Sequence, residues 1–164
     1  MTASPILQRL PIDVLTTLGW LNGTLHLPGH LPLEEYLALG QQDLKLTGVA
    51  IPREPERLRF LALRRESVVV VVPPPANEPD HAAASAAFTT TREVACLLPD
   101  GMLKGTLRLF SGLRLSDHLQ LQGRLVTLRD CLLTPYGATA QSEHARVLPT
   151  ALVYLQHAIG FSES

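Results

Sequence analysis

The chain has 164 residues, of which 46% are hydrophobic and 18% are charged, with a formal net charge of −1. This length allows one domain of ordinary size or two very small ones, and the apolar fraction suffices for a hydrophobic core. The near-neutral charge argues against a dedicated nucleic-acid binder, which usually carries a basic excess, although a local basic patch stays compatible with it.

Signals for export or for membrane insertion are missing from the sequence. The first ten residues lack the basic start and the continuous apolar segment of a signal peptide. The longest aliphatic run, residues 68–72, is far shorter than the roughly 20 residues that span a bilayer. We therefore expect a soluble, cytoplasmic protein with no membrane partner.

The first half of the chain reads as strands interrupted by one short helix. Two segments rich in β-forming residues meet at Gly19, which predicts a hairpin. Leu33 and Leu37 are four residues apart and precede Gly40, so they predict a helix of about two turns. Alternating or continuous apolar residues predict three more strands, the last of them covered on both faces: residues 43–51, 58–63 and 68–72.

Residues 73–91 are rich in proline and alanine, and this composition predicts an exposed, partly disordered linker. A second series of similar elements follows, with a hairpin at Gly101 and a helix for which Ser116 is the candidate N-cap. Residues 145–148 and 151–155 are predicted to supply the last strands, separated by Pro149, and residues 160–164 are expected to be frayed.

The two halves match each other in sequence. Residues 14–53 align with residues 96–135 without a gap, 82 positions apart, and twelve of the forty pairs are identical. The shared run Gly-x-x-x-Gly-Thr-Leu-x-Leu is difficult to obtain by chance in a leucine-rich chain. An internal duplication predicts a first β-rich repeat at residues 1–72, the linker at 73–91 and a second repeat at 92–160.

The duplication also informs the reading of the two cysteines. Cys96 aligns with Val14, and Cys131 aligns with Val49. Both thiols thus occupy positions where the other repeat has a β-branched apolar residue, so we expect buried thiols that act as small hydrophobic groups. Free cysteines indicate a reducing compartment such as the cytoplasm.

Residues suited to catalysis or to metal binding do not form a recognisable pattern. His26 and His30 are four residues apart, but Pro28 and Gly29 between them prevent the helix that would align them as ligands. Nucleophile elbows, phosphate-binding loops and zinc motifs are absent from the sequence. We predict no catalytic residue, no cofactor-binding residue and no metal ligand, and therefore no enzyme.

Arginines are concentrated near the end of the first repeat. Four of them are candidate contacts for a partner or a ligand: Arg57, Arg59, Arg64 and Arg65. Glutamates at positions 54, 56 and 66 are interleaved with them, which favours a solvated face of mixed charge over a nucleic-acid surface.

Short motifs in the second repeat resemble those of a group of other proteins. Residues 105–109 read Gly-Thr-Leu-Arg-Leu, residues 113–119 read Leu-Arg-Leu-Ser-Asp-His-Leu, and residues 126–130 read Val-Thr-Leu-Arg-Asp. The sequence resembles small uncharacterised bacterial proteins with a pattern G-x-L-x-L, then R-L-S-D-x-L-N, then L-T-D. Gln120 stands where that pattern has asparagine, and the first repeat departs from the central motif. This resemblance implies no activity and no functional residue.

These observations predict a mostly β protein with two tandem, pseudo-symmetric β-β-α-β-β-β repeats, each forming a small barrel or a curled sheet with one short helix. The preferred function is a non-enzymatic protein–protein interaction module, an adaptor or assembly subunit in a bacterial cytoplasm, with self-association as one form of partnership. The alternative is a small-barrel module that binds nucleic acid or nucleotides through the arginine-rich end of the first repeat; a third reading is a small-ligand pocket between the repeats. The low aromatic content, 5% of residues, disfavours stacking on nucleic-acid bases.

Overall fold

A computed structural model describes residues 6–40, 43–75, 88–139 and 141–163. The chain forms two compact units, Met1–Asn77 and Glu78–Ser164. The boundary between them falls inside the predicted linker, most of which, residues 76–87, lies outside the described residues. The prediction of a mostly β protein is confirmed, because ten strands and two short α-helices account for most of the described chain.

The first unit is an antiparallel sheet with one helix. Its strands pair in the order β5-β1-β2-β3-β4. The elements of this unit, in chain order, are β1 (Leu7–Thr16), β2 (Gly19–Pro28), α1 (Leu33–Leu39), β3 (Leu44–Ala50), β4 (Leu58–Leu63) and β5 (Val68–Val72).

The second unit has the same arrangement. Its strands pair in the order β10-β6-β7-β8-β9, again antiparallel throughout. In chain order, its elements are β6 (Thr89–Leu98), β7 (Gly101–Phe110), α2 (Leu115–Gln122), β8 (Leu125–Pro135), β9 (Arg146–Tyr154) and β10 (Gly160–Glu163). Each unit therefore runs β-β-α-β-β-β, and its last strand pairs with its first.

The sheet of each unit is open among the described strands, so of the two predicted forms, a small barrel and a curled sheet, the barrel is wrong. Closure of the first unit would require β4 to pair with β5, and no such pairing joins them among the described strands. The residues that link β4 to β5 contain a 3-10 turn at Arg65–Ser67. A link of four residues reaches at most about 17 Å, whereas the edges of a flat five-stranded sheet are roughly 19 Å apart. The sheet therefore curls without closing.

Leucine and valine side chains from alternate strand positions form the core of each unit. In the first unit, strands β1 to β3 and helix α1 contribute buried side chains that include Leu10, Ile12, Val14, Leu21, Leu25, Leu27, Leu33, Leu37, Leu44, Leu46 and Val49. The period of two along the strands and the four-residue spacing of Leu33 and Leu37 place these residues on facing surfaces. The valines at 68–71 are all buried, as the continuous apolar run predicts.

A bulge explains the second glycine of the shared motif. The pairing register shifts near Gly23 in the first unit and near Gly105 in the second. At these positions a Cβ atom would lie 3.0 Å from Val49 Cγ2 and 2.8 Å from Cys131 Sγ, respectively. The bulged residues, Gly48 and Asp130, both have left-handed backbones, with φ of 59° and 51°. A side chain at either strand glycine would therefore collide with the bulged strand beside it.

The spacing between equivalent residues changes within the second unit. Leu44 pairs with Leu63, and the equivalent Val126 pairs with Val153, so positions in β4 and β9 correspond at a separation of 90 residues instead of 82. The connection between β8 and β9 is therefore eight residues longer than its counterpart. Residues 145–148 and 151–155, predicted as two strands, instead contribute to the single strand β9.

The end of the chain also differs from the sequence-based prediction. Residues 160–163 were expected to be frayed, but they form β10, whose Phe161 pairs with Cys96. Strand β10 extends beyond residue 160, the predicted end of the second repeat, and β6 begins at Thr89, inside the predicted linker of residues 73–91. Main-chain pairing with β6 orders the end of the chain, and pairing with Phe110 of β7 orders Thr89. Short strands with few apolar residues give little sequence signal.

Two other local predictions are wrong. Pro149 does not interrupt the last strand, because it lies in the continuous β9 directly opposite the bulged Asp130, the position at which the β8–β9 ladder has a gap. Ser116 does not cap α2, since the helix begins after Arg114 and has no side-chain cap. The two hairpins are confirmed, with two-residue turns between Thr16 and Gly19 and between Leu98 and Gly101.

Candidate functional site

Arg57 and Arg65, two of the four candidate arginines, are bound within the first unit. Arg57 Nη1 donates hydrogen bonds to Asn22 Oδ1 at 2.9 Å and to the carbonyl oxygen of Gly48 at 2.8 Å. This side chain therefore ties the start of β4 to the bulge of β3 and to β2. Its donors stabilise the fold, which leaves fewer of them for a ligand.

Arg65 is buried and closes the C-terminal end of α1. Its Nη1 and Nη2 atoms donate to the carbonyl oxygens of Leu37 at 3.0 Å and of Tyr36 at 3.2 Å. The guanidinium also lies 5.2 Å from the centre of the Tyr36 ring, within the range of a cation–π contact. A side chain at Gly40 would overlap the Arg65 guanidinium, so glycine is needed there for space. Arg65 is a structural residue.

The remaining two arginines are exposed. Arg64 forms ion pairs with Asp43 at 3.2 Å and with Glu66 at 3.1 Å, and its side chain is 68% exposed. Arg59 is exposed in the middle of β4. The four predicted contact residues therefore have different environments: three are exposed, and Arg65 is buried.

The β4 strand combines an unpaired edge with exposed apolar side chains. Among the described strands, β4 pairs with β3 alone, so its other edge presents unpaired backbone groups. Leu58 and Phe60 are 36% and 58% exposed, although both are large apolar side chains within a strand. We call this surface, formed by residues 58–63 on the side away from β3, the β4 edge.

The equivalent strand of the second unit has the opposite character. Leu148 and Thr150 of β9, the counterparts of Leu58 and Phe60, are 3% and 1% exposed. Pro149 replaces Arg59 at the position between them. Exposure of this strand is thus a property of the first unit, and sequence reasoning missed it. The available signal was the imperfect alternation of residues 58–63, which leaves apolar residues on both faces of the strand.

The two cysteine thiols lie in β6 and β8 of the second unit. Burial raises the pKa of the Cys96 thiol to about 12. Burial raises the pKa of Cys131 to about 12 as well, with a further contribution from the charge of Asp130. Both thiols are free and buried, as the duplication predicts. They are protonated near neutral pH and are poor nucleophiles.

The described ranges contain neither a candidate metal site nor a helix that could span a membrane. Within the described ranges, no group of three or more histidine, cysteine, aspartate or glutamate side chains could hold a metal ion. The Nε2 atom of His26 in β2, one of the two histidines considered above, lies 2.8 Å from the Oγ1 atom of Thr47 in β3. Neither described helix is long and apolar enough to cross a membrane. Searches against protein-family models, curated proteins and solved structures find no match.

Proposed function

We propose that this chain is a non-enzymatic protein–protein interaction module, an adaptor or assembly subunit in a bacterial cytoplasm, and that the β4 edge is its binding surface. The observation that carries this proposal is the combination of an unpaired strand edge with the exposed apolar side chains of Leu58 and Phe60. Soluble proteins commonly protect such edges, because they invite pairing with another chain.

Strand addition is the binding mode that this surface suits. A partner segment in extended conformation would receive main-chain hydrogen bonds from β4, which supply affinity without regard to sequence. Leu58 and Phe60 would supply the apolar contacts of the bound segment. The bond from Arg57 to Gly48 holds the start of β4 in place, so the edge is preorganised.

The tandem arrangement supports the same proposal. We infer that the two units arose by duplication, because their strands pair in the same order and their bulges occur at Gly48 and Asp130, which are 82 positions apart. In this reading, both units kept the fold, and the first unit also kept an accessible edge at β4. The difference in exposure between Phe60 and Thr150 supports this division of roles.

The test is co-purification of the tagged protein from its host after nuclease treatment. Phe60→Glu places a charge at the centre of the β4 edge and is expected to reduce recovery of a protein partner at least about tenfold. Phe110→Glu is the matched control, because Phe110 is 53% exposed at the end of β7. The control should retain wild-type recovery.

Two results would overturn the proposal. One is equal recovery of the partner by the Phe60→Glu and Phe110→Glu variants, since the β4 edge would then have no role in binding. The other is recovery of nucleic acid alone when the nuclease is omitted, which would favour the nucleic-acid alternative. In that alternative, binding should weaken steeply with added salt and should depend on the exposed Arg59 and Arg64.

A further inference from the structure

The sequence around the β4 edge is complementary to itself when two copies run in opposite directions. If two antiparallel β4 strands are centred on Phe60, each Phe60 lies opposite the other, and Leu58 lies opposite Ala62. The same register brings Glu56, just before the strand, opposite Arg64, just after it. Because the arrangement is twofold symmetric, this charge pair occurs twice. Opposed aromatic residues and opposite charges are favourable cross-strand pairs.

Neighbouring registers are less favourable because they place like charges opposite each other. Centring the pair on Arg59 places two guanidinium groups directly opposite each other. Centring it on Leu61 places Arg57 opposite Arg65. A register centred between two residues would place side chains of opposite faces across from each other, so a twofold-symmetric pair cannot use it. Like charges that face each other across a strand pair are destabilising. Among these registers, the one centred on Phe60 places no like charges opposite each other between residues 56 and 64, and there it pairs Glu56 with Arg64; Glu54 and Glu66 face each other only further out, beyond the strand.

The exposures of the residues involved fit this arrangement. Glu56, Phe60 and Ala62 are exposed, so they are accessible to a second copy. The side chain of Arg64 is 68% exposed and holds Asp43 and Glu66 through different nitrogen atoms, Nε and Nη2. A guanidinium carries five N–H donors, so Arg64 can donate a hydrogen bond to a further carboxylate.

From these observations we propose that the partner of the β4 edge is a second copy of this chain, and that two copies pair antiparallel about Phe60 as a symmetric dimer. This inference rests on the proposed function and specifies its partner. The pairing joins identical surfaces, so it closes on itself and does not propagate into a filament. A contact between two strands of six residues is small, so the dimer is expected to be weak and concentration-dependent.

Disulfide formation between copies tests the register directly. Residues directly opposite each other on antiparallel strands have Cα atoms about 4.5–5.5 Å apart, a separation that a disulfide can bridge. Both native cysteines are buried, so a cysteine introduced on the surface is the reactive one. Under mild oxidation, Phe60→Cys is expected to form covalent dimers at least about tenfold faster than Phe110→Cys, the exposed control.

A mixed experiment distinguishes this register from its neighbours. Leu58→Cys and Ala62→Cys should each cross-link poorly alone, because each faces the other position across the twofold axis. An equal mixture of the two variants should form the heterodimer. Strong homodimer formation by Leu58→Cys, or no advantage of the mixture over either variant alone, would overturn the register centred on Phe60.

Charge reversal tests the pairing without introducing a thiol. Sedimentation equilibrium of the full chain is expected to show a dimer that Glu56→Arg and Arg64→Glu each weaken about tenfold, and that the double variant restores. A chain that stays monomeric at high concentration, together with no cross-linking of Phe60→Cys, overturns self-pairing. If Phe60→Glu still abolishes capture of a different protein, the interaction function stands and the second-copy assignment alone fails. If Phe60→Glu leaves capture unchanged as well, both fail.

Discussion

His118 is the buried side chain of α2, with 4% of its surface exposed. Its Nδ1 atom has no hydrogen-bond partner among the described residues. Burial removes the water that would stabilise the imidazolium, so it lowers the pKa of His118 below its ordinary value of 6.5. The folded protein therefore contains the neutral imidazole near pH 7.

This environment predicts a decrease in stability on the acid side. Above about pH 6.5 His118 is neutral in both the folded and the unfolded states, so it adds no pH dependence. As the pH falls below that value, the unfolded chain binds a proton that the folded chain does not, and the free energy of unfolding falls. His118→Leu should reduce this slope, measured by urea unfolding between about pH 5 and pH 7.5.

A surface histidine serves as the control for that measurement. The side chain of His144 is 73% exposed, so His144→Asn should keep the wild-type slope. Equal acid-side slopes for His118→Leu and the wild type would show that His118 binds protons equally in the folded and unfolded states.

At the scale of secondary-structure elements, α1 depends on a residue that is distant in sequence. The helix has seven residues, no basic residue in its last turn and no side-chain cap at its start. Isolated helices of this length are unstable in water. Arg65, 28 residues beyond Leu37, satisfies carbonyl groups that the helix end leaves open, and its charge is favourable there.

Loss of this contact should therefore unfold the end of α1. Arg65→Met is expected to lower the free energy of unfolding by about 1.5–3 kcal/mol, because it leaves the Leu37 and Tyr36 carbonyl groups without their charged donor. Arg65→Lys should recover little of this loss, since an ammonium group cannot reproduce the planar, two-pronged contact. The measurements are urea unfolding and amide hydrogen exchange in α1.

The neighbouring arginine supplies the control. Arg64→Met removes only exposed ion pairs and should cost less than about 1 kcal/mol. Similar losses for Arg64→Met and Arg65→Met would contradict the structural role assigned to Arg65.

At the scale of the whole molecule, the two units can be compared position by position. Gly48 and Asp130 occupy equivalent bulges with φ of 59° and 51°, a region that costs little for glycine and more for other residues. Asp130→Gly should raise the free energy of unfolding, and Gly48→Asp should lower it, each by about 1 kcal/mol. Chemical unfolding monitored by circular dichroism measures both changes.

Asparagine provides the matched control at the second bulge. Asp130→Asn should change stability little, because asparagine tolerates the left-handed backbone about as well as aspartate. If Asp130→Gly destabilised the protein while Asp130→Asn did not, the presence of the side chain, and neither its charge nor the backbone geometry, would be the important feature of this bulge.

The sequence by itself determined the features that repeat or alternate. The duplicated glycines and leucines predict both hairpins, both helices and the inward-facing strand positions, since these depend on residues close together in the chain. Comparison of the two halves was enough to predict the burial of Cys96 and Cys131. Such patterns indicate which side of a helix or strand faces the core.

Only the tertiary structure decided which strands are edges and which charges are engaged. Arg57, Arg59, Arg64 and Arg65 are alike in sequence, yet one is buried against a helix end and another is held by a bulge. Leu58 and Phe60 of the β4 edge are accessible while their counterparts in β9, Leu148 and Thr150, are buried, and β10 forms where the sequence predicts a frayed end. These properties arise from hydrogen bonds and packing between residues distant in sequence, and such contacts depend on the folded geometry more than on local composition.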